Sequence, residues 1–368
     1  MINITPYKTR ARVFAFYLPQ FHPIPENDLW WGKGFTEWTN VGKAKKLFPG
    51  HYQPHVPTDL GYYDLRVPET REKQANMAKE YGVEGFIYWH YWFGNGKRLL
   101  ERPFNEVLAS GKPDFPFALA WANETWKGFA HGLKNRNVLI EQSYPGEDDY
   151  INHFYAILPA LKDKRYITID NKPLFMIYKP YELPNATQFI NLWQELAKKN
   201  GLNGIYFVAQ RGYISTDEEK YDINNLLSMG FNSVNFVRLS INSLNKTENR
   251  IRNIMRKFIK FPVIRSYKNY IKHLTNKNDK ILEVIPTILP NWDHTPRSGK
   301  EGHVLHNSQP QYFAENIKDT LNNISEKPLE KRIIFLKSWN EWAEGNYMEP
   351  DLKWGKGYLE ALKKEILV

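Results

Sequence analysis

The chain has 368 residues, 42% hydrophobic and 24% charged, with no cysteine and a formal net charge of +10. That length suits a single catalytic barrel domain over 1–368 with long loops, and the lack of cysteine excludes disulfides and thiolate metal sites. No stretch approaches the ~20 apolar residues that span a bilayer. The one apolar run near the start, 13–18, is too short for a signal-peptide core. The chain therefore reads as cytoplasmic, at most peripheral at the inner membrane face.

Short apolar runs, each followed by a polar or aromatic loop and then a helical pattern, mark eight strands. They lie at 13–17, 85–89, 117–121, 174–178, 205–209, 231–234, 284–287 and 333–337. Eight strands alternating with helices predict a closed α/β fold, a (β/α)8 TIM barrel, rather than an open sheet. Helical spacing is plainest at 69–81 and 186–200, the second with Gly201 in the stop position. Two connections are long, 18–68 and about 212–282.

Active sites of this fold lie at the carboxyl ends of the strands, so the residues after each run are the candidate site. The first strand leads into Tyr17 and His22, the second into Tyr88, His90 and Trp92. The third leads into Trp121, Asn123, Glu124 and Trp126, and the fourth ends at Tyr178. The seventh runs into Trp292, Asp293 and His294, and the last into Trp339, Asn340, Glu341 and Glu344. An aromatic beside a hydrogen-bonding group at most strand ends suits a sugar, whose C–H faces stack on rings while its hydroxyls meet polar tips. These residues are expected to bind an oligo- or polysaccharide.

Glu341 and Glu344 are the expected catalytic pair. Glycosidic cleavage commonly uses two carboxyl groups flanking the anomeric carbon, and residues three apart on a short turn can converge on one ligand. Asn123–Glu124 is the rival, read as substrate binding or electrostatic support. His22, His90 and His294 come from different strand ends without close ligand spacing, so no metal is expected. No cofactor is expected either, because no P-loop or Gly-x-Gly-x-x-Gly occurs.

The charge is concentrated. Residues 246–280 carry eleven Lys or Arg against two acids, Glu248 and Asp279, which is nearly the whole excess. Ile251, Ile254, Met255, Phe258 and Ile259 recur there at helical spacing. Residues 240–282 are thus expected to be a basic amphipathic insertion docked on the barrel. It is a candidate for contact with a membrane surface or a lipid-linked glycan. No nucleic acid is expected, since no recognition motif accompanies the charge.

The segment Ser338-Trp339-Asn340-Glu341-Trp342-Ala343-Glu344-Gly345 resembles the Asn-Glu-Trp-x-Glu-Gly signature of the endo-α-mannosidase family, glycoside hydrolase family 99. The whole chain is more similar to the WbsX-type proteins of bacterial polysaccharide and O-antigen biosynthesis, often labelled glycosyltransferases. Tyr17 to His22, Asp59 to Arg66, Gly85 to Trp89 and Trp121 to Trp126 carry that likeness. The mannosidase resemblance implies that Glu341 is the base and Glu344 the acid/base of a retaining hydrolase without an enzymic nucleophile. The base takes the proton of the sugar 2-hydroxyl, whose oxygen attacks C1 to give a 1,2-anhydro sugar that water opens. Glu344 would then have a raised pKa and start protonated. Where the family has His between Trp and Glu, this chain has Ala343.

Three functions remain open. The favoured one is an endo-acting hydrolase of an α-linked, mannose-like glycan. The second is a glycosyltransferase of O-antigen or capsule synthesis, against which stands the absence of an Asp-x-Asp motif. The third is a non-catalytic glycan-binding barrel. Carboxyl groups ~5–6 Å apart would favour the hydrolase.

Overall fold

The computed structural model describes residues 8–128, 137–212, 214–239 and 261–368. The predicted barrel is present. Its strands are β1 (Arg12–Tyr17), β2 (Gly85–Trp92), β3 (Phe117–Trp121), β4 (Lys172–Ile177), β5 (Tyr206–Arg211), β6 (Ser233–Phe236), β7 (Val284–Ile288) and β8 (Ile333–Leu336). Each pairs in parallel with the next, and β8 closes on β1 in the register Arg12↔Ile333 to Ala15↔Leu336. Closure leaves no open edge on these eight strands. Strand β6 begins two residues later than the sequence pattern places it.

Helices α1 (Pro68–Glu80), α2 (Arg102–Ser110), α3 (Glu147–Leu161), α4 (Ala186–Lys199), α5 (Thr216–Ser228), α6 (Pro310–Ile324) and α7 (Gly357–Ile366) follow the strands. Local chemistry sets their starts. Proline opens α1, α2 and α6, where the missing N–H costs no bond. Ser215 and Glu218 form a reciprocal capping box before α5. The long first connection holds two short helices, Pro25–Trp31 and Glu37–Gly42.

Strand side chains alternate between the barrel axis and the helices. On the axis, Phe16 stacks on Trp89 (centroids 5.0 Å, planes 8° apart) and meets Phe335 edge-on at 5.6 Å. One residue later the direction reverses. Tyr17 packs on Phe86 and Tyr88, and its hydroxyl donates to Gln74 Oε1 of α1 at 2.7 Å.

Part of the predicted insertion, 240–260, lies outside the described residues. Its remainder is woven into the protein rather than laid on it. Val263–Ser266 pairs in parallel with His303–His306. Tyr267, Tyr270, Ile271 and Leu274 are buried with Leu289 and Leu305 in a second small core. The Tyr267 hydroxyl donates to Leu289 O at 2.6 Å, and that of Tyr270 to Arg238 O at 3.0 Å. Arg238 is itself buried between Glu219 (2.6 Å) and Asp279 (2.8 Å). Among the described residues no helix is long and apolar enough to cross a bilayer.

Candidate active site

The last strand supplies the acids. After Leu336 the chain passes through a cis Lys337–Ser338 peptide into a short strand, Asn340–Glu341, then one 3-10 turn, Trp342–Glu344. Gly345 turns it back, and Asn346–Tyr347 pairs antiparallel with Asn340–Glu341. Asn340 fastens this hairpin to β1. Its side-chain oxygen accepts from Leu18 N at 2.8 Å, and its amide donates to Leu18 O at 3.0 Å. A second tie is the Asp293 N–H, which donates to Glu344 O at 2.6 Å. The turn thereby sets both carboxyl groups around Lys337 Nζ, 3.6 Å from Glu341 and 3.9 Å from Glu344, near enough that each shifts the other's pKa.

Their surroundings differ. Glu341 accepts from the indole N–H of Trp89 at 2.8 Å, with Lys337 Nζ 3.6 Å away. Glu344 is bonded by Arg297 Nη1 at 2.5 Å, with His294 Nε2 at 3.8 Å and Lys337 Nζ at 3.9 Å. Arg297 is held from behind by Glu37, through Nη2 at 3.1 Å and Nε at 3.3 Å. Burial pushes Glu341 up, Lys337 opposes it, the neighbouring Glu344 adds to it, and the result is about 7. Burial also pushes Glu344 up, but Arg297, then Lys337, more than offset it, and its carboxyl falls below the ordinary value. Two acids this near each other compete for protons, and the guanidinium in contact with Glu344 favours the ionised form of that carboxyl. The mannosidase resemblance implies a raised Glu344, whereas the buried guanidinium beside it draws its pKa down.

Other predicted residues join the pair. Tyr178 is half-buried, edge-on to Trp89 at 5.6 Å, and held above its ordinary pKa by burial and by Glu124, Glu344 and Glu341. Glu124 pairs with Lys179 at 3.2 Å, and burial raises its pKa. Trp292 lies parallel to His294, with Lys337 Nζ 5.5 Å from its ring centre. Burial and then Arg297 lower His294 to about 3. Trp126 is one layer back, edge-on at 5.0 Å to Tyr91, which senses Glu341 and Arg297. Glu344 remains partly open, its side chain 13% exposed.

Several predicted residues face elsewhere. Tyr17, Tyr88, His90, Trp92, Trp121 and Trp339 point from the barrel wall toward the helices. Tyr88 packs on Phe104 of α2. His90 bonds His153 of α3 through the two Nε2 atoms at 2.8 Å, Trp92 donates to Asp149 at 3.0 Å, and Trp121 packs on Phe189 of α4. Trp339 is fully buried against Phe86. His22 donates from Nδ1 to Pro19 O at 3.1 Å and is buried near Asp64 and Arg66. Asn123, Asn340 and Asp293 are latches. Asn123 bonds both Lys179 N and O, at 2.8 and 2.9 Å. Asp293 accepts from His51 and Gln53 at 2.7 Å and caps Thr295 N at 2.9 Å.

Sequence reasoning missed Trp89, Lys337, Arg297 and Glu37. Two of these had a signal: Trp89 lies on the opposite strand parity to the residues chosen, and Lys337 ends the predicted eighth strand. Arg297 follows His294 by three residues in a one-turn helix, Thr295–Ser298. Nothing local marks Glu37.

A family described as "Glycosyltransferase WbsX" matches residues 13–362. An uncharacterized protein, WxcX, from Xanthomonas campestris pv. campestris is 33% identical over 364 residues. That alignment takes in 98% of this chain, but the chain spans about half the length of WxcX. Among solved structures, a "glycoside hydrolase-like protein" superposes with TM-score 0.63 at 14% identity, covering 100% of this chain and 97% of that one. The GH99 endo-α-mannosidase of Bacteroides thetaiotaomicron, solved with bis-tris-propane, superposes with TM-score 0.59 at 14% identity, covering 96% and 95%.

Proposed function

This chain belongs to the WbsX glycosyltransferase family, and from that premise we propose that it is a glycoside hydrolase, retaining and endo-acting on an α-linked, mannose-like glycan. The observation that carries the reading is the pair Glu341 and Glu344, which flank Lys337 Nζ at 3.6 and 3.9 Å beyond the carboxyl end of β8, inside a barrel of glycoside hydrolase shape. Their surroundings push the two carboxyls in opposite directions, Glu341 up and Glu344 down, which suits one acid and one base for cleavage of an acetal. Trp89, Tyr178 and Trp292 offer ring faces and polar tips for the sugar around that pair. Glu341, Glu344 and these aromatics are the proposed substrate-contacting set, with Glu124 and Lys179 at its edge.

The test is digestion of a glycan library by the full chain, with mass spectrometry and anomeric analysis of the products. Internal cleavage with retained configuration is expected. Glu341→Gln and Glu344→Gln should each lower turnover by ~10³ or more. Full activity in either variant would remove that residue from the chemistry.

The family description favours a second reading, a transferase of polysaccharide synthesis, in which a sugar hydroxyl replaces water as acceptor at the same acid pair. The same experiment separates them. Glycosidic products lengthened at the expense of hydrolysed ones, in the presence of acceptor glycans, support transfer. Membrane-surface contact through 246–280 remains a proposal, tested by vesicle partition at low salt.

A further inference from the structure

We infer that Gln210, at the carboxyl end of β5, determines which sugar the cleft accepts: its side-chain carbonyl is a fixed acceptor that reads one hydroxyl of the substrate ring. This deepens the sugar-site reading above and rests on it.

Strand parity places Gln210 inside the barrel. Phe207 packs on Phe189 and Trp193 of α4, and Arg211 pairs with Asp222 of α5 at 2.5 Å. Residues 207 and 211 thus face the helices, and Tyr206, Val208 and Gln210 face the axis. Three buried polar side chains cross three strands there: Gln210 on β5, Asn235 on β6 and Thr287 on β7.

Their hydrogen bonds have one possible direction. Ile285 O can only accept, and Asn235 Nδ2 donates to it at 2.8 Å. The second hydrogen of Nδ2 goes to Thr287 Oγ1, also at 2.8 Å. Asn235 Oδ1 is therefore its acceptor, and Gln210 Nε2 donates to it at 3.0 Å. That orients the Gln210 amide, with nitrogen on the ladder and Oε1 left over. Among the described residues, Oε1 accepts no hydrogen bond, although Gln210 is only 4% exposed. An unspent acceptor that deep is costly and calls for a donor. A sugar hydroxyl supplies one. An ether oxygen, a C–H or a C–F does not. A hydroxyl bonded to Oε1 also polarises the amide and strengthens the bonds behind it.

Gln210 stands on the same inner wall as the acids. Ile177 pairs with Ala209, so Tyr178 and Gln210 are neighbours at the ends of β4 and β5. Tyr178 is edge-on to Trp89, whose N–H holds Glu341. In the other direction the ladder ends at Thr287, which pairs with Phe335 of β8, two residues before Lys337. A ring held at Glu341 and Glu344 is thereby flanked by the β5–β7 wall.

The experiment uses the full chain labelled with 15N, and follows the Gln210 side-chain amide by NMR. The probes are the methyl α-glycosides of mannose, glucose and galactose, and their monodeoxy analogues. At least one glycoside should shift the Gln210 amide. Loss of one particular hydroxyl should weaken its binding by ~10-fold or more and abolish the shift at saturation. Gln210→Met should bind the parent and that deoxy analogue equally weakly. Should Gln210→Met fail to fold, the shift in the unsubstituted chain decides, present with the parent and absent with the deoxy analogue. No glycoside moving the amide, or a deoxy penalty of full size in Gln210→Met, overturns the inference. So does a Gln210→Met chain with a lower denaturation midpoint and unchanged glycoside binding, since the ladder would then be a strut alone. Failure of the glycosidase reading shows elsewhere, as glycan cleavage that survives both Glu341→Gln and Glu344→Gln, whatever Gln210 binds.

Discussion

Trp89 makes two contacts with different jobs. Its ring lies against Phe16 on the barrel axis, and its N–H is a donor to Glu341. Trp89→Phe keeps most of the ring and deletes the donor. A hydrogen bond to a charged group contributes about 1.5–3 kcal/mol, and this one strengthens whenever Glu341 is ionised. Turnover should therefore fall by ~10-fold or more. The Glu341 ionisation should also move up, because the anion has lost its donor. A pH–rate profile of the variant checks both, and an unchanged profile with unchanged turnover would show that the N–H is idle. Arg297 and Glu37 differ in kind from Trp89. They meet each other beside Glu344 from the separate connections after β7 and β1, so their pairing is a property of the closed barrel rather than of any local pattern.

The elements of the barrel were legible because each carries its own signal: apolar runs bounded by turn residues, then helical spacing with caps. The site was legible only in part, and β2 shows why. Residues 88, 90 and 92 and residues 89 and 91 are all aromatic or histidine, so composition does not reveal which set faces inward. A period of two makes the choice all-or-nothing, and the set chosen from sequence, Tyr88, His90 and Trp92, is the one that packs on the helices. On β8, by contrast, the acids lie beyond the strand in a hairpin whose turn residue was visible. Gly345 adopts φ +58°, and a Cβ there would lie 2.7 Å from Asp293 Cβ and 2.8 Å from Asp293 N. Both the left-handed backbone and the close approach require glycine. Gly345→Ala should cost about 1–2 kcal/mol from backbone conformation alone, plus whatever displaces the 291–294 segment. That segment carries the N–H bonded to Glu344 O, so the acid moves with it. A fall in turnover larger than the fall in denaturation midpoint would show that the hairpin's position, not merely its stability, matters. Equal losses would count against that.

For the whole molecule, two sets of buried titratable groups oppose each other. Six histidines, His22, His55, His90, His153, His294 and His306, have pKa values lowered by burial, His90 and His294 to about 3. Unfolded, they bind protons below about 6.5 that the folded chain refuses, so their contribution is present above that pH and is lost as pH falls. Glu341 and Glu349 work in reverse. Burial raises each to about 7, although Glu349 accepts from Trp342 and Gln74 at 2.6 Å and from Tyr63 at 2.8 Å. The folded chain keeps those protons between the ordinary value of 4.5 and about 7, so their contribution is present below 4.5 and lost as pH rises through that window. Burial also raises Glu124 and Asp279, so among the described residues six histidines stand against four carboxyls and the histidines win. Between about pH 5 and 6.5 the guanidinium midpoint should climb with pH. Glu349→Gln removes one opposing group, so the climb should steepen even if the midpoint drops at every pH. A slope left unchanged would mean that Glu349 is ionised throughout, its donors outweighing its burial. A midpoint that falls from pH 5 to 6.5 in the unsubstituted chain would mean that the histidines titrate in the folded protein as freely as in the unfolded one.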